Sequence, residues 1–422
     1  MKYFDHAENR RFFFLAFYCS FVWFVTRLSL PFGSFQNIPV YLPLTLISFV
    51  YLPPRASFWT MGFTLFLLAY ELLKIFQPGL GLSMRSMLSA AAIGIIVPSC
   101  GFAFLELLKF PEERVLRWLR VTLYLFGASQ LGEVALVAAG VLPNPYTHYL
   151  LPFLHRYSGT LMEPSHLAPV LAPLIFIAVS FPRFFVEKLG RRCMWVLAWI
   201  VFAGLSSTLL LVLIMAAGFS LVRRFSRLEI GGIFLFAIAG VVMVALFAAI
   251  PAFSARLIQA VNPQTTVNLS VSEALSVLVL IKGYQMTSYA MAHFPLGVHA
   301  LDMQSLAPFS SISFISPFMF DANSNDGASL FFKGICEYGY LWIFVMVFAL
   351  GNFLIRSARQ SAFDFIGLLK VGFIFALFAT FVRGTSYFHD VAPMAVGLTL
   401  FSIWECLRTA ATTKVRSGTA YR

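Results

Sequence analysis

Long apolar runs alternate along the chain with short stretches that carry most of its charge. Within each run the hydrophobic residues are continuous rather than placed at every second position, which predicts helices and not half-buried strands. About 20 mostly apolar residues in a helix cross a bilayer, and only helices or closed barrels satisfy their backbone there. The runs predict spans near 12–30, 38–54, 56–76, 87–108, 121–142, 164–181, 193–205, 206–222, 231–251, 334–355, 362–382 and 390–407. The stretch 193–222 is too long for one ordinary span and short for two. Its Gly204-Leu205-Ser206-Ser207-Thr208 segment can turn the chain midway. The alternative is one long tilted helix, which removes a crossing and inverts the orientation of everything after it.

Charge separates the two readings. Cytoplasmic loops collect Lys and Arg. With the N-terminus inside and twelve crossings, 21 of the 30 Lys and Arg fall in inside segments, and the bias persists beyond residue 222. The chain is therefore expected to go out and back across 193–222, with both termini cytoplasmic. The exceptions are Arg27, Lys74, Arg85, Arg156, Arg256, Lys282, Lys333, Lys370 and Arg383. The net charge of +12 is thus a product of topology, and nucleic acid is not an expected partner. The 59% hydrophobic content excludes a soluble enzyme. The expected fold class is all-α, a polytopic membrane protein forming a single integral membrane domain over 1–422. The opening MKYFDHAENRR leads into an apolar run with no small-residue cleavage site, so the first span is expected to be retained. The five cysteines have no paired spacing and predict neither a disulfide framework nor a metal site.

The same map places His148, His155, His166, His293, His299 and His389 on the outer side, with two long outer loops at 142–163 and 252–333. The second contains apolar stretches able to lie as helices on the membrane surface. Long loops that gather polar residues are where function tends to reside. In HRYSGTLMEPSHLAP, Glu163-Pro164 marks a helix start. Arg156, seven residues earlier, is suited either to clamping phosphate or to reaching lipid headgroups. Lys282 interrupts an apolar stretch and is followed by Tyr284, Tyr289 and His293. It reads as a ligand-binding cation or as the lysine of a surface helix. Asn323, Asn325 and Asp326 form a polar loop leading to Glu337, an acid in an apolar run; intramembrane charge is expensive and usually functional. Lys333, four residues before Glu337, is a plain structural partner for it. Arg383 ends a span beside His389 and Asp390, and Glu71 and Lys74 are spaced to pair with each other. No phosphate loop, HExxH, nucleophile elbow or zinc spacing is present in the sequence.

Taken in order, RYSGTLMEPSHLAPVL, GLSSTLLLVLI, LIKGYQMTSYAMAHFPLGVHA and NSNDGASLFFKGICEYGYLW resemble four blocks of the O-antigen polymerase family (Wzy type) and of its relatives, the O-antigen ligases. The blocks cover about 155 to 345. Two departures are Lys282, where the family often carries Arg, and His299, where it often carries Gly. Ligases tend to show a His-Asn pair where this chain has Asn325-Asp326, which favours a polymerase. The resemblance implies a GT-C-like membrane glycosyltransferase of a bacterial inner membrane, about 12 transmembrane helices, with its active site facing the periplasm. Its substrates would be undecaprenyl-diphosphate-linked oligosaccharides, with no cofactor and no metal; membrane lipids and a chain-length regulator are the other implied partners. A lipid diphosphate leaving group calls for cations, and Arg156, Arg256, Lys282 and Arg383 are the expected set. The acceptor hydroxyl needs a base, with Glu163 the first choice and His166 and Glu337 behind it. Tyr284, His299, Asn325 and Asp326 are the expected sugar contacts. The competing readings are an O-antigen ligase, which takes lipid A core as acceptor, and a flippase or other transporter. No repeat between the halves supports a transporter.

Overall fold

The computed structural model describes residues 6–24, 38–142, 156–157, 166–226, 271–314, 320, 329–359, 364–380, 387–388 and 391–419. These are predominantly helical, with no strand among the described residues. The helices are α1 (His6–Phe24), α2 (Ile38–Ser48), α3 (Pro54–Lys74), α4 (Met84–Leu107), α5 (Glu112–Ala138), α6 (Leu167–Ser180), α7 (Pro182–Leu189), α8 (Arg191–Ala203), α9 (Ser207–Ser226), α10 (Val271–His293), α11 (Leu330–Arg359), α12 (Phe365–Ala379) and α13 (Ala392–Thr419). Local chemistry sets several boundaries. Pro54 and Pro182 stand in the first turns of α3 and α7. Ser83 caps α4 by accepting from the Ser86 amide at 3.2 Å, and Asp364 caps α12 by accepting from the Gly367 amide at 2.9 Å.

Among the described residues, four helices are long and apolar enough to cross a membrane: Pro54–Lys74, Met84–Leu107, Glu112–Ala138 and Leu330–Phe353. The pair α6 and α7 adds a fifth if its 112° bend lies within one broken span. The helix α6 is apolar on every side and almost wholly buried, as an all-round hydrophobic helix must be in a bundle core. It packs against α9 and α12, and the Trp23 indole of α1 donates to the Val170 carbonyl at 2.7 Å. Outward faces keep large apolar side chains exposed, among them Phe13 and Phe17 of α1, Phe58 and Leu65 of α3, and Phe344 and Val347 of α11. Exposed apolar side chains on several long apolar helices fit a membrane protein.

The stretch 193–222 is divided as the Ser/Thr segment suggested. The break between α8 and α9 falls at residues 204–206, where Ser206 Oγ accepts from the Leu209 amide at 3.2 Å. The expected span at 231–251 lies outside the described residues. At one edge of the bundle Arg11 pairs with Glu106 at 2.7 Å and donates to the Tyr51 carbonyl at 2.9 Å, joining α1, the turn between α2 and α3 and the end of α4. Glu106 also pairs with Lys109, and Lys188 pairs with Glu112 at 2.8 Å. The end of α3 and the start of α4 are at the opposite edge.

Close helix contacts use glycine. A Cβ on Gly397 of α13 would sit 2.9 Å from the backbone of Gly101 on α4, and Gly372 of α12 meets Pro173 of α6 in the same way. Membrane helices associate through such small-residue contacts. Gly397→Val is expected to cost about 1–3 kcal/mol by overpacking, read as a lower midpoint in thermal unfolding of the detergent-solubilised protein. Gly132→Val, where nothing lies within 4 Å, is the matched control and should leave the midpoint unchanged.

Candidate functional site

The helix α11 is interrupted at Gly339, whose backbone (φ 53, ψ −132) is not helical. An interruption removes the hydrogen bonds that cross it. The carbonyls of Cys336, Glu337 and Tyr338 and the amide of Tyr340 need other partners. Each has one. The Val298 amide donates to Cys336 O at 2.7 Å, and the Tyr340 amide donates to Pro295 O at 3.2 Å. The Lys74 ammonium donates to Glu337 O at 2.5 Å, and the Tyr70 hydroxyl donates to Tyr338 O at 2.9 Å. The last turns of α3 and the segment 295–298 thus supply partners to three carbonyls and one amide at the break. Two glycines permit the approach. Gly297 (φ 81) and Gly339 both take positive φ, and a Cβ on either would collide with the other segment's backbone.

Lys74 does more than cap the half-helix. It forms an ion pair with Glu71 and donates to Val298 O at 2.8 Å. Its ammonium also lies 4.7 Å from the centre of the Tyr338 ring. Gln77 extends the contact by donating to Gly297 O at 2.8 Å and accepting from the Leu296 amide at 2.9 Å. On the far side His299 Nδ1 lies 3.3 Å from Glu71 Oε2, and its Nε2 lies 2.8 Å from the Gly81 carbonyl. Lys333 Nζ stands 2.9 Å from Glu337 Oε1. Leu301, three residues beyond Val298, takes a positive φ of 55. Glu71, Lys74, Lys333 and Glu337 are each at most 1% exposed. Two acids and two lysines balance, which is how charge is tolerated at such depth. Asp302, in the loop beyond, is pushed above the ordinary carboxylate range by burial, against the pull of Arg85 and then His299.

The expected site residues are distributed as follows. Glu337 and His299 stand in this cluster, and the i,i+3 and i,i+4 pairs anticipated for Glu71 with Lys74 and Lys333 with Glu337 are both formed. His299 is occupied by Glu71 and Gly81, which makes it a strut of the loop. Lys282 is buried in α10 and donates to Phe320 O at 2.7 Å. Tyr284, two residues on, is exposed. Tyr289 stacks on His293 and on Phe309, with ring centres 4.1 and 3.8 Å away. Glu163, Arg256, Asn325, Asp326 and Arg383 lie outside the described residues.

Arg156 and His166 belong to a second locus. His166 is buried at the boundary that starts α6. Beside Arg156, the Tyr157 amide donates to Ala203 O at 2.9 Å, at the break between α8 and α9. Gln130 of α5 donates to the Tyr157 carbonyl at 2.9 Å. Burial, and after it the nearby Glu133 carboxylate, holds the Tyr157 phenol above its usual range. The first two sequence blocks therefore meet here, and the last two meet at Gly339. Sequence reasoning missed Tyr70, Lys74 and Gln77 as partners of these blocks. Their signal was a charged pair and a glutamine in the closing turns of one apolar helix.

No protein-family model, curated protein or solved structure matches the chain.

Gly339→Ala forces a side chain into left-handed backbone and into the 295–297 segment, so a loss of at least about 1–3 kcal/mol is expected. Thermal unfolding with Gly81→Ala as control, where nothing lies within 4 Å, measures it.

Proposed function

We propose that the chain is a membrane glycosyltransferase that joins undecaprenyl-diphosphate-linked oligosaccharide repeats at the periplasmic face of a bacterial inner membrane. In this reading the bundle is GT-C-like, crosses the bilayer about twelve times and keeps both termini in the cytoplasm. The observation that supports it most is the pairwise packing of the four family-like blocks. Consecutive blocks close on one another at a helix start and at a helix break, the two places where a membrane helix exposes polar groups.

The chemistry is a displacement at the anomeric carbon of the donor. The acceptor hydroxyl loses its proton to a base as its oxygen forms the new glycosidic bond. The bond to the lipid diphosphate breaks, and the diphosphate leaves with the electron pair. Glu163 is the base in this scheme, with His166, at the start of α6, as the second candidate. Arg156 and Arg383 stabilise charge on the departing diphosphate, Arg156 by a bidentate contact. Glu337, wholly buried and paired with Lys333, acts as a positioning residue that holds the 295–301 segment. Lys282, bonded to Phe320 O, is a positioning residue that ties Phe320 to α10. An O-antigen ligase would use the same donor half and differ in its acceptor.

Purified protein supplied with a polyprenyl-diphosphate oligosaccharide, without nucleotide sugar, is expected to yield a product ladder spaced by one repeat. Glu163→Gln should lower turnover by about 10²–10⁴-fold, the usual worth of a general base, while folding is retained. Arg156→Lys should slow it through loss of the bidentate contact. Product only when lipid A core is added would assign the ligase, and no transfer to either acceptor would refute the enzyme.

A further inference from the structure

An open cavity of about 910 Å³ lies between the first turns of α1 and the turn 50–53 that joins α2 to α3. From α1 its lining is Ala7 and three basic residues, His6, Arg10 and Arg11; from the turn it runs from Val50 to Pro53. No acidic residue is among the lining residues. The cavity sits at the edge of the bundle where Arg11, Lys109, Arg114 and Lys188 gather. An edge so rich in Lys and Arg is expected to be the cytoplasmic one, and the lipid surface there is negatively charged.

The two arginines of the cavity differ in their state. Arg11 is fixed: its Nε donates to the Tyr51 carbonyl at 2.9 Å and its guanidinium pairs with Glu106 at 2.7 Å. Glu106 also pairs with Lys109, so two cations share one carboxylate. The Arg10 side chain is exposed and has no ion pair among the described residues. Glu8, the acid of α1, faces Arg114 of α5 at 3.7 Å instead. The cavity therefore keeps an excess of positive charge on a rigid wall, which suits a phosphate group. Apolar surface continues directly from it. Phe14, one turn beyond Arg10, stacks on Tyr51 with ring centres 4.5 Å apart. Phe17, a further turn along that face of α1, is exposed, as are Ile47 and Val50 at the end of α2. A soluble phosphate compound has no use for this surface, whereas the acyl chains of a lipid lie against it.

We infer that this cavity binds the phosphate head of an anionic phospholipid of the adjoining leaflet, with Arg10 and Arg11 as its cationic contacts. The lipid links the start of α1 to the α2–α3 turn, and its chains run along Phe17 and Ile47. This holds whether or not the chain transfers sugars.

The test is native mass spectrometry of the full-length protein, delipidated in detergent and re-exposed to phosphatidylglycerol or to phosphatidylethanolamine. One phosphatidylglycerol per chain should be retained, with phosphatidylethanolamine held about tenfold more weakly, as loss of one charge-assisted contact predicts. Arg10→Gln, a change at an exposed position that leaves folding intact, should abolish this preference. Arg117→Gln removes an exposed charge from α5 that does not line the cavity, and it should leave the preference unchanged. Equal retention of the two lipids by the unaltered chain, or equal effects of the two substitutions, would overturn the site in favour of general attraction to a basic edge. Displacement of phosphatidylglycerol by an equal concentration of glycerol 3-phosphate would overturn it in favour of a soluble phosphate compound.

Discussion

A helix broken inside an apolar layer leaves backbone carbonyls and amides that no solvent can satisfy, at several kcal/mol for each. The break at Gly339 imposes that constraint here, and the surrounding structure is the set of partners that meets it. Val298, Pro295, Tyr70 and Lys74 each supply one bond. The Lys74 ammonium also stands at the C-terminal end of the half-helix 330–338, where the peptide dipoles favour a cation. One lysine therefore fixes α3, the 295–298 segment and α11 relative to one another.

Burying that cation needs a counter-charge, and the rest of the cluster follows from it. Glu71 supplies the charge from the preceding turn, and its second oxygen reaches His299, whose other nitrogen meets Gly81 just before α4. Glu337 and Lys333 form the second pair on α11. The cluster is neutral as a whole, which suits a framework better than an anion-binding surface. In the proposed enzyme its role is to hold the 295–301 segment. The second locus, where Tyr157 is pinned to the α8–α9 break, carries Arg156 and leads to the start of α6.

The helices were legible where composition alone determines them. Continuous apolar runs correspond to α3, α4, α5 and α11, and the Ser/Thr turn at 204–208 marked the break between α8 and α9. The run at 164–181 corresponds to the short, enclosed α6, and the 112° turn into α7 comes at its end. Nothing in its uniformly apolar sequence distinguishes a core helix from a lipid-facing one. The pair Glu71 and Lys74 was visible from spacing, but Lys74's bonds to Val298 O and Glu337 O join residues more than 200 positions apart. Backbone acceptors carry no side-chain signal. The break itself was hidden because Gly339 sits among aromatic residues in a run that reads as continuous.

The most direct measurement compares thermal unfolding of Lys74→Met with that of Lys74→Met/Glu71→Leu. If Lys74 is the donor that repairs the break, the single change is strongly destabilising. The double change then recovers only the part due to the unpaired Glu71, leaving a loss of about 1–3 kcal/mol for each carbonyl without a donor. A double variant as stable as the unaltered chain would contradict this, because Lys74 would then serve only to neutralise Glu71.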